Sequence, residues 1–367
     1  MKEPYVRRCR RLMRLVARKG AGAFLVTKAE NVRYLSGFTG EDSWLVLAPR
    51  RRILIADSRF TEEAALSSPG WEVVKRKGGM AAEAAGVLRH IRAKAAFEAA
   101  NVTVETHKAL LRRLGRRRRL VATGGLVESL RTLKDEAEIA YIRKAIAAAE
   151  RGFKAALGGL RKGADESSFA ADLERAMRME GADGAAFPTI AACEPKSSLP
   201  HAKPGHKRLS ESGTLLVDWG ARVGGYNSDL TRVIAWGKVT PDIRRMWGVV
   251  RAAQAAALRI VRPGVPAARV DAAARKVISQ AGFGKCFGHG LGHGVGLEVH
   301  EGPTLSPKSK AILKAGMVVT IEPGIYLPGV GGVRVEDMVL VTRRGAEVLT
   351  HVSREGRVLA GWAGARL

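Results

Sequence analysis

Residues 215–232 read Leu215-Leu216-Val217-Asp218-Trp219-Gly220-Ala221-Arg222-Val223-Gly224-Gly225-Tyr226-Asn227-Ser228-Asp229-Leu230-Thr231-Arg232. An apolar, β-forming run ends in the carboxylate of Asp218, and a second carboxylate, Asp229, precedes another apolar run. Between them lie Gly220, Gly224, Gly225 and Asn227, residue types that a tight hairpin uses. A hairpin centred near Val223-Gly224 sets positions 218 and 229 opposite each other, with Cβ atoms about 4.5–5.5 Å apart. Two carboxylates that close repel unless cations lie between them, and a pair of divalent metals about 3.5–4 Å apart is the natural occupant. Two turn aspartates in an ordinary hairpin have the same spacing, so the motif needs company.

Company comes from further along the chain. Gly288-His289-Gly290-Leu291-Gly292-His293-Gly294-Val295-Gly296 is followed by His300. Glycine disfavours a helix by about 1 kcal/mol each, so this stretch is expected to be an extended strand or bend approached closely by other backbone. Histidine serves both as a neutral metal ligand and as a proton donor near neutral pH. Two glutamates follow, in Thr320-Ile321-Glu322-Pro323-Gly324 and Arg334-Val335-Glu336-Asp337. Pro323 pushes Glu322 toward extended geometry, and strand alternation places Arg334 and Glu336 on one face. Carboxylates among apolar β-formers are expensive unless paired or metal-bound. A salt bridge from Arg334 to either glutamate is the plainer explanation, and it accounts for one of them more readily than for both. Four oxygen ligands and one imidazole favour a harder ion such as Mn²⁺, with Co²⁺ or Zn²⁺ as alternatives.

Upstream, Ile139, Ile142, Ile146, Phe153 and Leu157 recur at helical spacing and predict one long amphipathic helix. A second helix is expected over 166–180, and two more over 241–262 and 267–280. Strands are expected over 318–321, 333–342 and 347–350. Before residue 130 the pattern alternates. Arg7 to Lys19 reads as a surface helix, Thr61 to Leu66 and Ala81 to Lys94 as helices, and 23–26, 44–47, 53–56 and 71–74 as strands. The expected organisation is a small α/β domain over 1–129 and a larger α+β domain over 130–367.

The 367 residues carry 62 Lys/Arg against 35 Asp/Glu, a formal net charge of +27. The first 130 residues hold 27 Lys/Arg and 12 Asp/Glu, with the densest run at Arg112, Arg113 and Arg116 to Arg119. Such charge attracts nucleic acid, but no aromatic residues interleave with the arginines to stack on bases. A solvated basic face is therefore expected, without a nucleic-acid partner, and no membrane partner is expected because no apolar run reaches the length of a membrane span. Cys9, Cys193 and Cys286 are too far apart for a zinc knuckle or a disulfide framework, and a reducing, cytoplasmic setting is expected. Met1 to Lys19 lacks the apolar core of a secretory signal.

Taken together, Leu216 to Ala221, Ser228 to Arg232, His289 to Leu297, Thr320 to Tyr326 and Val333 to Asp337 resemble the signatures of the Xaa-Pro peptidases, prolidase and aminopeptidase P. Gly181 to Phe187, Leu199-Pro200-His201-Ala202 and Leu130 to Lys134 extend the resemblance. It implies a pita-bread catalytic domain, a curved antiparallel sheet with flanking helices, behind a creatinase-like N-terminal domain. It implies metal ligation by Asp218, Asp229, His293, Glu322 and Glu336, holding two divalent ions. It also implies catalytic roles for His201, His300, Glu322 and Arg334, a small peptide substrate with proline in second position, and a homodimer. One stretch departs from the pattern: Ala192-Cys193-Glu194-Pro195-Lys196-Ser197-Ser198 stands where relatives carry a Gly-Pro-Asn type loop beside the substrate pocket. Rival readings are a methionine-aminopeptidase-like enzyme and a non-catalytic binding protein of the same fold with a basic, nucleic-acid-attracting surface.

Overall fold

Asp135 begins the larger part of the molecule with a reciprocal cap. Its side chain accepts the Glu138 N–H while Glu138 accepts the Asp135 N–H, satisfying two helix-end donors at once. A computed structural model of the chain describes residues 3–91, 93–115, 120–161 and 163–354. These fall into two compact units, Met1–Arg131 and Thr132–Leu367. The expected division between 129 and 130 would cut the helix Leu126–Arg131, which the structure keeps whole in the first unit.

The first unit contains α1 (Glu3–Arg18), β1 (Ala23–Val26), α2 (Ala29–Ser36), β2 (Ser43–Ala48), β3 (Arg51–Ala56), α3 (Thr61–Ser67), β4 (Glu72–Lys75), α4 (Met80–His90), β5 (Ala95–Glu98), α5 (Val104–Leu114), β6 (Leu120–Thr123) and α6 (Leu126–Arg131). Its six strands form one mixed sheet in the order β4-β3-β2-β1-β5-β6. Neighbours β1, β2 and β3 are antiparallel, whereas β5 lies parallel to β1 and β6. The α/β expectation is met; α2, α5, β5 and β6 lie outside the expected elements, although Leu110 and Leu114 of α5 are buried at helical spacing. Of the arginine run, 116–119 lies outside the described residues.

The second unit contains α7 (Glu136–Gly159), α8 (Glu166–Met179), β7 (Gly184–Ala185), β8 (Ile190–Cys193), β9 (Gly213–Trp219), β10 (Ala221–Val223), β11 (Tyr226–Asn227), β12 (Leu230–Trp236), α9 (Pro241–Leu258), α10 (Ala267–Gln280), β13 (Gly292–Gly294), β14 (Glu301–Leu305), β15 (Val318–Ile321), β16 (Gly324–Leu327), β17 (Gly331–Arg334), β18 (Asp337–Val341) and β19 (Ala346–Val348). Strands β8, β9 and β12 make one antiparallel ladder, and β13, β14, β15, β18 and β19 make another. An isolated bridge between Thr231 and Glu336 links the two.

Period-two alternation along β9 sorts its side chains. Leu215, Val217 and Trp219 pack into a core with Phe153 of α7 and Phe169, Leu173 and Met177 of α8. Leu216 faces the other way, into a core with Ile243, Met246 and Val250 of α9. Asp218 shares that second face. Gln254 of α9 ties the helix to the strands by donating to the Ile321 and Val335 carbonyls at 3.3 and 3.2 Å and to Asp337 at 2.9 Å. Among the described residues no helix is long and apolar enough to cross a membrane.

One register expectation is corrected. The tight turn is at Gly224-Gly225, both with positive φ (56° and 78°), which suits a two-residue hairpin loop. Val223 pairs with Tyr226, and Asp218 faces Thr231 instead of Asp229. The partner moves by two positions, an even number, so both aspartates stay on one face as diagonal neighbours. Gly220, between them on that ladder, has no room for a side chain: a Cβ there would lie 1.9 Å from the Ser228 carbonyl oxygen.

Candidate metal centre

Each expected ligand stands within a short strand or at or beside the end of one. Asp218 is the penultimate residue of β9, and Asp229 immediately precedes β12. His293 lies in β13, Glu322 follows β15, and Glu336 lies between β17 and β18. Ligand atoms of Asp218, Asp229 and Glu336 lie within 4.8 Å of one another, as do those of His293, Glu322 and Glu336, and those of Asp229, His293 and His300. The structure therefore brings all five residues and His300 to one place. Gly292 permits this approach, since a Cβ there would fall 2.1 Å from the Thr320 carbonyl oxygen.

Hydrogen bonds orient the set. The Thr320 hydroxyl donates to Glu322 Oε1 (3.2 Å) and accepts the His293 N–H (3.0 Å). His293 Nδ1 is 3.2 Å from the Gly294 carbonyl, to which its N–H can donate, so Nε2 is left facing Glu322 Oε1 at 3.2 Å and Asp229 Oδ2 at 3.6 Å. Thr231 donates to Glu336 Oε2 (2.7 Å) and accepts from Arg334 Nε (3.0 Å). Arg334 Nη2 donates to Asp218 Oδ2 at 2.6 Å. The arginine thus pairs with an aspartate, not with either glutamate as the plainer sequence explanation held. Behind Glu336, Asp337 is buried and accepts from Arg232 (2.7 Å), Thr350 (2.6 Å), Gln254 (2.9 Å) and Arg354 (2.6 Å).

The electrostatics are those of a cluster of buried anions. Burial, with Glu336, Asp218 and Glu322 nearby, pushes the Asp229 carboxyl well above its ordinary range. Burial, with Glu322 and Asp218, does the same to Glu336. Burial also raises Asp218, against the opposing pull of Arg334. Burial disfavours charge on His293, but the hydrogen bond and charge of Glu322 outweigh it and raise the imidazole.

The cluster floors a cleft of about 890 Å³ walled by Phe187, Pro188, Ile190 and Tyr326, with His201, His289 and His300 around it. His201 and His300 are exposed to solvent, and the His300 ring packs on His293 with centroids 4.3 Å apart. Sequence reasoning missed Thr231 and Tyr326 as site residues and assigned His289 no role. Arg334 Nη1 donates to Tyr326 Oη at 2.7 Å, and His289 Nε2 lies 3.0 Å from the same oxygen. His289 Nδ1 is 2.8 Å from the Gly290 carbonyl. Burial lowers His289 and pushes the Tyr326 phenol up to about 12. The consistent arrangement is a neutral imidazole protonated at Nδ1 that accepts the phenol proton at Nε2. Tyr326 lies in β16, outside the sheet that β15 belongs to, and its contacts with Arg334 and His289 are what place it at the site.

The model of metallopeptidase family M24 matches residues 140–343, more than half of the chain. The chain belongs to metallopeptidase family M24. Residues 8–133 match the creatinase/prolidase N-terminal domain, so a creatinase-type unit precedes a pita-bread catalytic unit. The M24 chain is 36% identical over 346 residues to the uncharacterized peptidase YqhT of Bacillus subtilis, covering 94% of this chain and 98% of that one. It superposes on the Xaa-Pro dipeptidase from Bacillus anthracis with a TM-score of 0.93 at 34% identity, over 97% of this chain and 100% of that one. On the X-Pro aminopeptidase from Thermotoga maritima the TM-score is 0.87 at 37% identity, over 95% and 99%. This M24 protein is accordingly a hydrolase that uses divalent metal. Its residues fit such ions: Asp218 Oδ1 is buried with no hydrogen-bond partner, and buried carboxylates crowd together around one imidazole nitrogen.

Proposed function

We propose that this metallopeptidase hydrolyses the peptide bond between an N-terminal residue and proline, with two divalent ions held by Asp218, Asp229, His293, Glu322 and Glu336. The convergence of those five side chains carries the reading. Asp229, His293 and Glu336 each belong to two of the overlapping ligand groups, which supports two sites with shared ligands in preference to one. Mn²⁺ suits the oxygen-rich set best, with Co²⁺ or Zn²⁺ as alternatives. When bound, the ions supply Lewis-acid activation of water and of the substrate carbonyl.

The remaining work falls to side chains. Burial raises Glu322, but the hydrogen bond and charge of His293 outweigh it and hold the carboxylate ionised. Glu322 therefore takes the proton of the attacking water and delivers it to the departing proline nitrogen. Partial burial of the His300 ring where it packs on His293, together with the charge of His293, lowers this otherwise exposed imidazole, so its neutral ring keeps an N–H for the substrate. With His201 across the cleft it donates to the carbonyl oxygen as negative charge develops there. Arg334 fixes the direction of Asp218. Phe187, Pro188 and Ile190 form an apolar wall against which a pyrrolidine ring packs. Proline lacks an amide N–H and has a fixed φ, so such a pocket selects it by shape.

The test compares an Ala-Pro dipeptide, an Ala-Pro-Ala tripeptide and a Met-Ala dipeptide, with metal content measured on the same sample. Hydrolysis of a Xaa-Pro bond that needs Mn²⁺ and disappears with the Glu336→Ala change is expected. Preference for the dipeptide or the tripeptide assigns dipeptidase or aminopeptidase use. Release of methionine from Met-Ala without Xaa-Pro cleavage, or full activity of metal-free Glu336→Ala protein, refutes the proposal.

A further inference from the structure

We propose that Glu166 and Lys196 are positioning residues that clamp the loop carrying His201 over the cleft. The inference rests on the reading of His201 as a substrate-contacting group. Glu166 is the first residue of α8, and its side chain is 0% exposed. Its Oε1 accepts the Cys193 N–H at 2.8 Å. Its Oε2 accepts the Gly205 N–H at 2.9 Å and pairs with Lys196 Nζ at 2.6 Å. One buried carboxylate thus grips both ends of the stretch 193–205 and a third point within it. A negative charge in the first turn of a helix is favourable, but a buried carboxylate is tolerated only with its oxygens occupied. Here every partner comes from this one loop.

The other side of the loop is tied to the metal centre. Ser197 Oγ accepts the Gly332 N–H at 2.9 Å, two residues before Arg334. Arg334 Nη1 donates to the Pro200 carbonyl at 3.3 Å. His201 follows Pro200 and projects into the cleft from a span anchored on both flanks. Lys196 lies in the stretch where the sequence departs from the expected Gly-Pro-Asn pattern. Its side chain is 32% exposed and seals the buried carboxylate from outside.

The test is a double-mutant cycle on the metal-loaded enzyme, with hydrogen exchange as an independent readout. Glu166→Gln keeps one acceptor for Cys193 but loses the ion pair and the Gly205 contact. Amides of 194–205 are expected to exchange faster while those of α7 and α9 do not change. The kcat/KM for Ala-Pro is expected to fall about tenfold, within the hundredfold that a remote misplacement of about 1 Å can reach. In a His201→Ala background the same change should cost less than about twofold, because coupled sites are not additive. Should Glu166→Gln protein not fold, Lys196→Met removes the ion pair alone and should give the same pattern in milder form, with Lys196→Arg restoring the unaltered rate. Equal losses in both backgrounds, unchanged loop exchange, or failure of Lys196→Arg to rescue overturns the proposal. Absence of Xaa-Pro hydrolysis by the unaltered chain strikes the functional reading alone, and the exchange measurement still decides the clamp.

Discussion

Thr231 shows how much one neutral side chain can organise. Its hydroxyl joins Glu336 to Arg334, and Arg334 continues to Asp218. A hydroxyl replaced by a methyl of the same size leaves Glu336 and Arg334 each short of a partner. Supporting groups around metal ligands are commonly worth about 10–100-fold in affinity or activity. Thr231→Val is therefore expected to weaken Mn²⁺ binding by about that factor in a calorimetric titration, and Thr231→Ser to keep it. At this scale the sequence was informative about charge and silent about neutrality. Asp218, Asp229, His293, Glu322 and Glu336 stand out because a carboxylate or imidazole among β-formers is costly without a partner. Thr231 and Tyr326 suit a strand on their own account, and only contact with Glu336 and Arg334 reveals their part.

Among the elements, α7 is specified locally at its start. Asp135 and Glu138 cap each other, and Glu138 also accepts from the Tyr226 hydroxyl at 3.0 Å. Asp135→Ala should lower stability by about 1 kcal/mol, measured by urea unfolding, without changing metal stoichiometry. Long helices were legible because their period repeats over many residues. In the hairpin Asp218–Asp229 the expected centre at Val223-Gly224 is one residue early, because β-branched Val223 resists positive φ whereas the Gly224-Gly225 pair accepts it. Parity survived that displacement, and so the shared face of the aspartates was read correctly from a wrong pairing. The expected strand over 333–342 is broken after Arg334 and resumes at Asp337. The gap carries Glu336, which bridges instead to Thr231. That exchange of partners depends on a segment distant in sequence, and local alternation does not contain it.

For the whole molecule, the acidic cluster couples stability to pH and to metal. Without metal, the raised carboxyls of Asp218, Asp229 and Glu336 hold protons that an unfolded chain releases near pH 4. Their contribution is complete below that pH and is lost as pH climbs through the raised folded values. Glu322, held low, acts in the opposite sense as a single group. Metal-free protein should thus melt at a lower temperature at about pH 8 than at about pH 5.5. Mn²⁺ should restore the difference most strongly at the higher pH, with proton release on binding. Scanning calorimetry at the two pH values, with and without chelator, checks both.

The bridge between Thr231 and Glu336 also fixes an order of events in time. Asp218 and Asp229 belong to one ladder, His293 and Glu322 to another, and the ladders meet where Glu336 reaches across. In the proposed ligand set the ligands come from both ladders, so the complete site exists only once they have met, and a bound ion is expected to act as a latch. A latch absent from the folding transition state slows escape without hastening formation. Refolding from urea should run at one rate with chelator or with Mn²⁺, while unfolding in Mn²⁺ becomes many times slower, and stopped-flow fluorescence separates the two.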